Sequence, residues 1–160
     1  MSNPSIMFYH DGRHPLIYMY EPPMQKAEYE AAVDELVGTS VEALMFCMGD
    51  GRTVLHDTQV GELWGDNVDK WDHIIFRRAH QNAKALIKSG NDPLKIVCER
   101  AHEKGMKVYP TLLMAQGTGN RENDNRSSDW RFNNTHLEIG AADDIDESFP
   151  GYRNLDFKHK

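Results

Sequence analysis

Clustered basic charge, long apolar runs and a cysteine framework are all missing from this chain. Its 160 residues carry 18 Lys and Arg against 25 Asp and Glu, for a net charge of −7. Nucleic-acid binding normally rests on clustered Lys and Arg, so the acidic balance argues against that partner. The apolar stretches run only a handful of residues, well short of the roughly 20 needed to span a membrane. The start Met1-Ser2-Asn3-Pro4 shows no charged region followed by an apolar core, so no leader is visible and nothing directs localisation. Only two cysteines occur, Cys47 and Cys98, both within apolar segments. Their spacing fits neither a zinc site nor a Cys-x-x-Cys redox pair, and they read as small core residues. Gly-x-Ser-x-Gly is absent, which excludes a nucleophile elbow. The glycine-spotted segment 116–120 lacks the Lys-Ser/Thr ending and following helix of a phosphate loop. No cofactor is indicated.

What is present is a repetition. The apolar run 6–9 passes through His10 into Asp11-Gly12-Arg13, and the run 43–48 passes through Gly49 into Asp50-Gly51-Arg52. Buried strands that empty into such residues resemble the mouth of a parallel α/β fold, where strand C-terminal ends carry ligands and chemistry. Each Asp-Gly pair is also a turn device, with Asp bonding the local backbone and Gly taking a positive φ, and this is the heavier expectation.

The elements follow from periodicity. Residues 16–20 form an extra strand or a covering loop, closed by Glu21-Pro22-Pro23. Tyr29, Ala32, Val33, Leu36 and Val37 follow the helical template over 26–37, with Gly38 as stop. Two residues then lead to a strand at 41–48. Residues 51–70 read as a long loop. A helix over 71–88 turns Phe76, Ala79, Ala83, Leu86 and Ile87 inward. Asp92-Pro93 caps another, with Leu94, Val97, Cys98 and Ala101 inward and Gly105 at its end. The stretch 106–114 is a third strand, in which Pro110 implies a bulge or a strand edge. Beyond Ala115 only 130–136 suggests a short helix, and the tail offers at most Leu155-Asp156-Phe157 as a further strand. Three βα-type units are therefore expected in a single partial domain over 1–160, with long mouth loops near 51–70 and 115–160. They cannot close a (β/α)8 barrel of about 250 residues, so the expectation is the N-terminal portion of one. Exposed strand edges and apolar faces would favour association, although the oligomeric state is not fixed.

His10-Asp11-Gly12-Arg13, Tyr20-Glu21-Pro22-Pro23, Met48-Gly49-Asp50-Gly51, His56-Asp57-Thr58 and Trp64-Gly65 together resemble the N-terminal part of uncharacterised bacterial barrels related to family 10 glycosyl-hydrolase-like proteins. Ala101-His102-Glu103-Lys104-Gly105-Met106, the Trp130 segment, His136-Leu137-Glu138 and Leu155-Asp156-Phe157 extend the likeness along nearly the whole chain. The resemblance implies a (β/α)8 barrel that acts on or binds carbohydrate polymers. It also implies catalytic carboxylates at the ends of strand four and later, to which no residue here can be matched.

Carbohydrate contacts are then expected from His10, Asp11, Tyr20, Asp50, His56, Asp57, Trp64, Gln116 and Trp130. Flat aromatic faces of Tyr20, Trp64 and Trp130 would stack on sugar rings or, equally, pin loops to the barrel body. Glycoside hydrolysis needs two carboxyl groups about 5–10 Å apart, one of them protonated, and Asp11 and Asp50 sit at neighbouring strand ends. Arg52, Arg121 and Arg131 could clamp acidic sugars or be plain surface charges. His10-Asp11 and His56-Asp57 offer imidazole and carboxylate for a divalent metal, without a third compelling ligand. Three readings stand: a glycosyl-hydrolase-like cleft with its main carboxylates beyond Lys160, a noncatalytic carbohydrate-binding or scaffold barrel, and a metal-dependent hydrolase or isomerase.

Overall fold

The computed structural model describes residues 6–51, 53–114, 121, 124, 126–140, 154–156 and 158–159. The chain forms a mixed α/β structure on a three-stranded parallel sheet of order β1-β2-β3, with β1 at Met7–His10, β2 at Ala43–Asp50 and β3 at Lys107–Leu113. Register aligns Tyr9, Met45 and Tyr109 in one row, and His10, Phe46 and Pro110 in the next. Helix α1 (Lys26–Asp34) joins β1 to β2, while α2 (Ile74–Lys88) and α3 (Pro93–Glu103) precede β3.

The helix signals act as their chemistry dictates. His73 accepts from the Ile75 amide at the start of α2, and Asp92 from the Lys95 amide at the start of α3. Gln25 and Glu28 close a reciprocal capping box on α1. The 26–37 segment is shorter as regular helix than its periodicity predicts, since residues 35–38 leave α1 as turns. Residues 16–20 form neither a strand nor a plain loop. Pro15–Met19 is a π-helical turn, because Pro15 presets the first φ and buries Leu16 and Ile17 in the core.

Among the described residues, the helices cover one face of the sheet; on the other, Tyr9 and Tyr109 are exposed while Ala43 and Cys47 are buried. Leu44, Phe46 and Met48 pack with Tyr29, Val33, Ala83, Leu86, Ile96, Val97 and Ala101 into the core. Strand alternation sends Ala43, Met45 and Cys47 to the opposite face, away from that cluster. Both outer strands expose apolar side chains, Met7, Phe8 and Tyr9 on β1 and Tyr109 and Leu112 on β3. Pro110 lies on an edge strand, where a missing amide costs no ladder bond, and a register irregularity follows between Cys47 and Asp50. Cys47 is buried and Cys98 half-buried, and both thiols are free. Cys98, expected to point inward, yields its place to Ile96.

Inside the helix layer sits a polar residue, on the otherwise apolar inward face of α2. Asn82 is fully buried; it accepts from the Met24 amide and donates to the Leu16 and Tyr20 carbonyls. One side chain thereby satisfies three backbone groups of the segment linking β1 to α1. Among the described residues, no helix is long and apolar enough to cross a membrane.

Candidate functional site

The parallel strands all point their C-terminal ends one way, and Asp11-Gly12-Arg13 after β1 meets Asp50 at the end of β2 there. Asp11 accepts from the Arg13 amide at 3.1 Å and from its Nε at 3.0 Å and Nη2 at 3.3 Å. Arg13 also reaches the second strand, with Nη1 3.7 Å from Asp50 Oδ2. Asp50 is buried and accepts from the Thr53 amide at 3.3 Å. Both aspartates therefore bond their local backbone, as a turn requires. Their glycines do not behave as expected, because neither Gly12 nor Gly51 has a positive φ. Gly12 is needed for space instead: a Cβ there would lie 2.1 Å from the Cys47 carbonyl oxygen and 2.5 Å from the Phe46 ring. The positive φ belongs to Gly49, at 142°, one residue before Asp50.

Residues 53–70 fold back on the strand ends. The Leu55 amide donates to the Met48 carbonyl at 2.9 Å, and Val54 bridges both Gly49 and Leu63. Leu55 and Trp64 plug the turn from inside. Trp64 is only 4% exposed, against Phe76 at 5.9 Å and under the Arg13 guanidinium at 5.9 Å. It pins the loop and offers no open face.

A second wall comes from the short helix α4 (Asp129–Asn133). Glu62 accepts from the amides of Asp129 and Trp130 at 3.0 and 2.9 Å, so a loop carboxylate sits on the positive end of that helix. Asn67 donates to the Ser127 carbonyl and to Asp129, and Thr53 donates to the Arg126 carbonyl. These bonds between distant segments enclose a cleft of about 400 Å³, lined by Asp50, Thr53, Gln59, Glu62, Ser128 and Trp130 with Val54, Leu112 and Met114. That is the size of a small-molecule site. Trp130 is 57% exposed, the open aromatic surface of this wall.

The expected contacts thus divide. Asp50 and Trp130 line the cleft together. Asp11 is exposed and tied to Arg13 beside it. Tyr20 packs half-buried on the core and gives its carbonyl to Asn82. His10 lies on the helix side of the sheet, stacked on Phe46 with ring centroids 4.7 Å apart and Nε2 3.6 Å from Glu35. Burial pushes its pKa down, and Glu35 and Asp11 only partly offset this. His56 Nδ1 lies 2.7 Å from the Asp57 carbonyl oxygen, and the Asp57 amide donates to Asp92, which draws this pair to the start of α3. Among the described residues, no three His, Cys, Asp or Glu side chains form a metal-ligating group, so His10, Asp11, His56 and Asp57 do not assemble a metal centre. Arg131 is buried on Glu138, and Arg121 pairs with Asp129. Gln116 and Arg52 lie outside the described residues.

Electrostatics limit what the strand ends can do. Burial alone would raise the Asp11 carboxyl, but the hydrogen bonds and charge of Arg13 outweigh it and hold the pKa below the ordinary carboxylate range. Asp11 is therefore unsuited to carry the proton of a general acid near neutral pH. The cleft residues sequence reasoning passed over are Glu62, Thr53, Gln59 and Ser128; for Glu62, a carboxylate within a glycine-flanked loop was the available signal. No family model matches the chain, and no curated protein matches it.

Proposed function

We propose that this chain supplies part of a carbohydrate cleft in a glycosyl-hydrolase-like (β/α)8 barrel, of which its three parallel strands are the first three. The carrying observation is the cleft at the ends of β2 and β3, where the exposed face of Trp130 accompanies Asp50, Glu62, Gln59 and Ser128. Sugars present apolar ring faces and hydroxyl edges, and this lining offers a partner for each. The barrel reading draws support from the strand order, from exposed Tyr9 and Tyr109 on the sheet face away from the helices, and from outer strands that pair with no further strand among the described residues, since parallel sheets are normally covered on both faces. In this reading the acid and nucleophile come from carboxylates beyond Lys160.

A noncatalytic carbohydrate-binding barrel is the second reading, favoured by Arg13 serving both Asp11 and Asp50. Calorimetric titration with a panel of neutral oligosaccharides, alongside a reducing-sugar assay, tests both. Binding that Trp130→Ala weakens at least tenfold, with no hydrolysis by residues 1–160, supports the cleft. No binding across the panel counts against it, and hydrolysis by this chain alone overturns the placement of catalysis. Acidic residues at both the fourth and seventh strand ends of a longer parent chain would favour the enzyme, and their absence the binding module.

A further inference from the structure

The cleft at the ends of β2 and β3 collects apolar side chains that the fold leaves open to solvent. Val60 is 100% exposed, Trp130 57%, Leu112 47% and Met114 43%, and all four line this one space. Single exposed apolar residues are ordinary on a protein surface, but several gathered around one concave site mark a place where something binds. They come from three segments: the 58–61 turn, the end of β3 with the residue after it, and α4. Val60 is held in place. Its amide and that of Gly61 both donate to Thr58 Oγ1, at 3.2 and 3.1 Å, and the Val54 amide closes the loop on the Glu62 carbonyl.

The polar lining is distributed the other way. Asp50, Thr53 and Ser128 are each only 6% exposed, Glu62 and Val54 are half-buried, and Gln59 is the one polar side chain at the exposed edge. Among the described residues, the lining is therefore polar at depth and mainly apolar at the rim. A sugar unit alone does not match that gradient. Aromatic rings stack on the flat face of a pyranose, but Val, Leu and Met side chains present no such plane. Against them, hydroxyl groups lose water without gaining hydrogen bonds.

We propose that the cleft takes a glycoside whose aglycone is apolar and the size of a single ring, with the sugar at the buried polar end and the aglycone against Val60, Leu112, Met114 and Trp130. This rests on the carbohydrate reading of the cleft and narrows it from sugars in general to that class. A space of about 400 Å³ lies within the range of sites that enclose a small ligand. Burying the aglycone takes apolar surface of both ligand and rim out of water, a contribution that sugar hydroxyls cannot supply.

Calorimetric titration of the full chain with matched methyl and phenyl glycosides of several neutral hexoses and pentoses, in both anomers, and with phenol tests the assignment. For at least one sugar the phenyl glycoside should bind about tenfold or more tighter than its methyl partner. Val60→Ser, at a fully exposed position where no packing is lost, should weaken the phenyl glycoside about threefold or more and leave the methyl glycoside unchanged. Val37→Ser, the same change at an exposed valine outside the cleft, should alter neither. Methyl and phenyl glycosides that bind equally overturn the aglycone assignment and leave the carbohydrate cleft standing. Phenol that binds as tightly as every phenyl glycoside, or no binding by any ligand, overturns the carbohydrate reading and this inference with it. Equal weakening by Val37→Ser and Val60→Ser also overturns the inference, since the ring would then be held by exposed surface in general.

Discussion

The Arg13 guanidinium joins two carboxylates from neighbouring strand ends, with Nε 3.0 Å from Asp11 and Nη1 3.7 Å from Asp50. The two contacts are unequal in setting, because the Asp11 side chain is 45% exposed and that of Asp50 only 6%. Solvent screens the first, so the second governs the outcome of losing the guanidinium. Arg13→Gln should cost about 1–3 kcal/mol in urea unfolding. Arg13→Lys should recover only part of this, since an ammonium cannot hold the forked contact with Asp11. A loss within about 0.5 kcal/mol for Arg13→Gln would show that the strand ends do not rely on this bridge.

The two glycines of the repeated motif should respond differently to the same methyl group. At Gly12 a Cβ meets backbone and a buried ring, with the Tyr29 hydroxyl also donating to the Gly12 carbonyl at 3.0 Å. Neither strand nor helix can retreat, so Gly12→Ala should destabilise by at least about 2 kcal/mol. At Gly51 the Cβ would meet the tip of Leu155 at 3.3 Å and the Met114 carbonyl oxygen at 3.4 Å. A side-chain tip can move, so Gly51→Ala should stay within about 1 kcal/mol. Paired thermal melts decide this, and equal losses would refute the distinction.

His10 makes acid stability a further readout. Its folded pKa lies below the ordinary 6.5, first through burial and against the opposing pull of Glu35 and Asp11, while His14 adds to the lowering. As pH falls through 6.5 the unfolded chain takes up this proton before the folded one does, so the unfolded state binds more protons. The stability held by the neutral ring is thus fully present above 6.5 and lost as pH falls toward and through the folded value. Replacing His10 by Phe keeps a flat ring against Phe46 and removes the titration. Unfolding free energies over that window should then depend on pH less steeply, by up to about one proton. An unchanged slope would mean that His10 ionises freely in the folded state.

Much of the layering was legible in sequence because it rests on local rules. Asp92-Pro93 announces a capped helix, and the continuous apolar run around Phe46 announces a buried strand. The cleft was less legible, because its walls meet through contacts between residues far apart in the chain. Gly61 and Gly65 mark Glu62 as a loop carboxylate, but nothing local places it on the start of α4. Trp64 and Trp130 looked alike as loop tryptophans, yet one is sealed under Arg13 and the other open, a difference set by how residues 53–70 fold back. His10 was assigned to the mouth by its neighbours, but strand alternation turns its ring toward the helices.

Asn82 carries the sharpest case, since it stands three residues after Ala79 and four before Leu86, on the inward face of α2, where an apolar residue is the ordinary occupant. Its side chain accepts one backbone bond and donates two, to groups of residues 16–24 that have left regular structure. Removing it leaves the Met24 amide and the Leu16 and Tyr20 carbonyls competing for partners within the protein interior. Each such group costs about 1–3 kcal/mol when unsatisfied, although partial rearrangement and water entry reduce the sum. Asn82→Ala should therefore destabilise by roughly 3 kcal/mol or more, beyond the ordinary range for a polar substitution on a helix. Asn82→Leu should do no better, because apolar volume supplies none of the lost bonds. Asn82→Asp should recover only the acceptor toward Met24 and should also weaken as an anion enters the interior. Hydrogen exchange separates this account from simple loss of packing. The Met24 amide should lose protection selectively in Asn82→Ala, while amides in the middle of α2 retain theirs relative to global unfolding. Uniform loss across both would place the role of Asn82 in filling space rather than in tying down the β1–α1 connection.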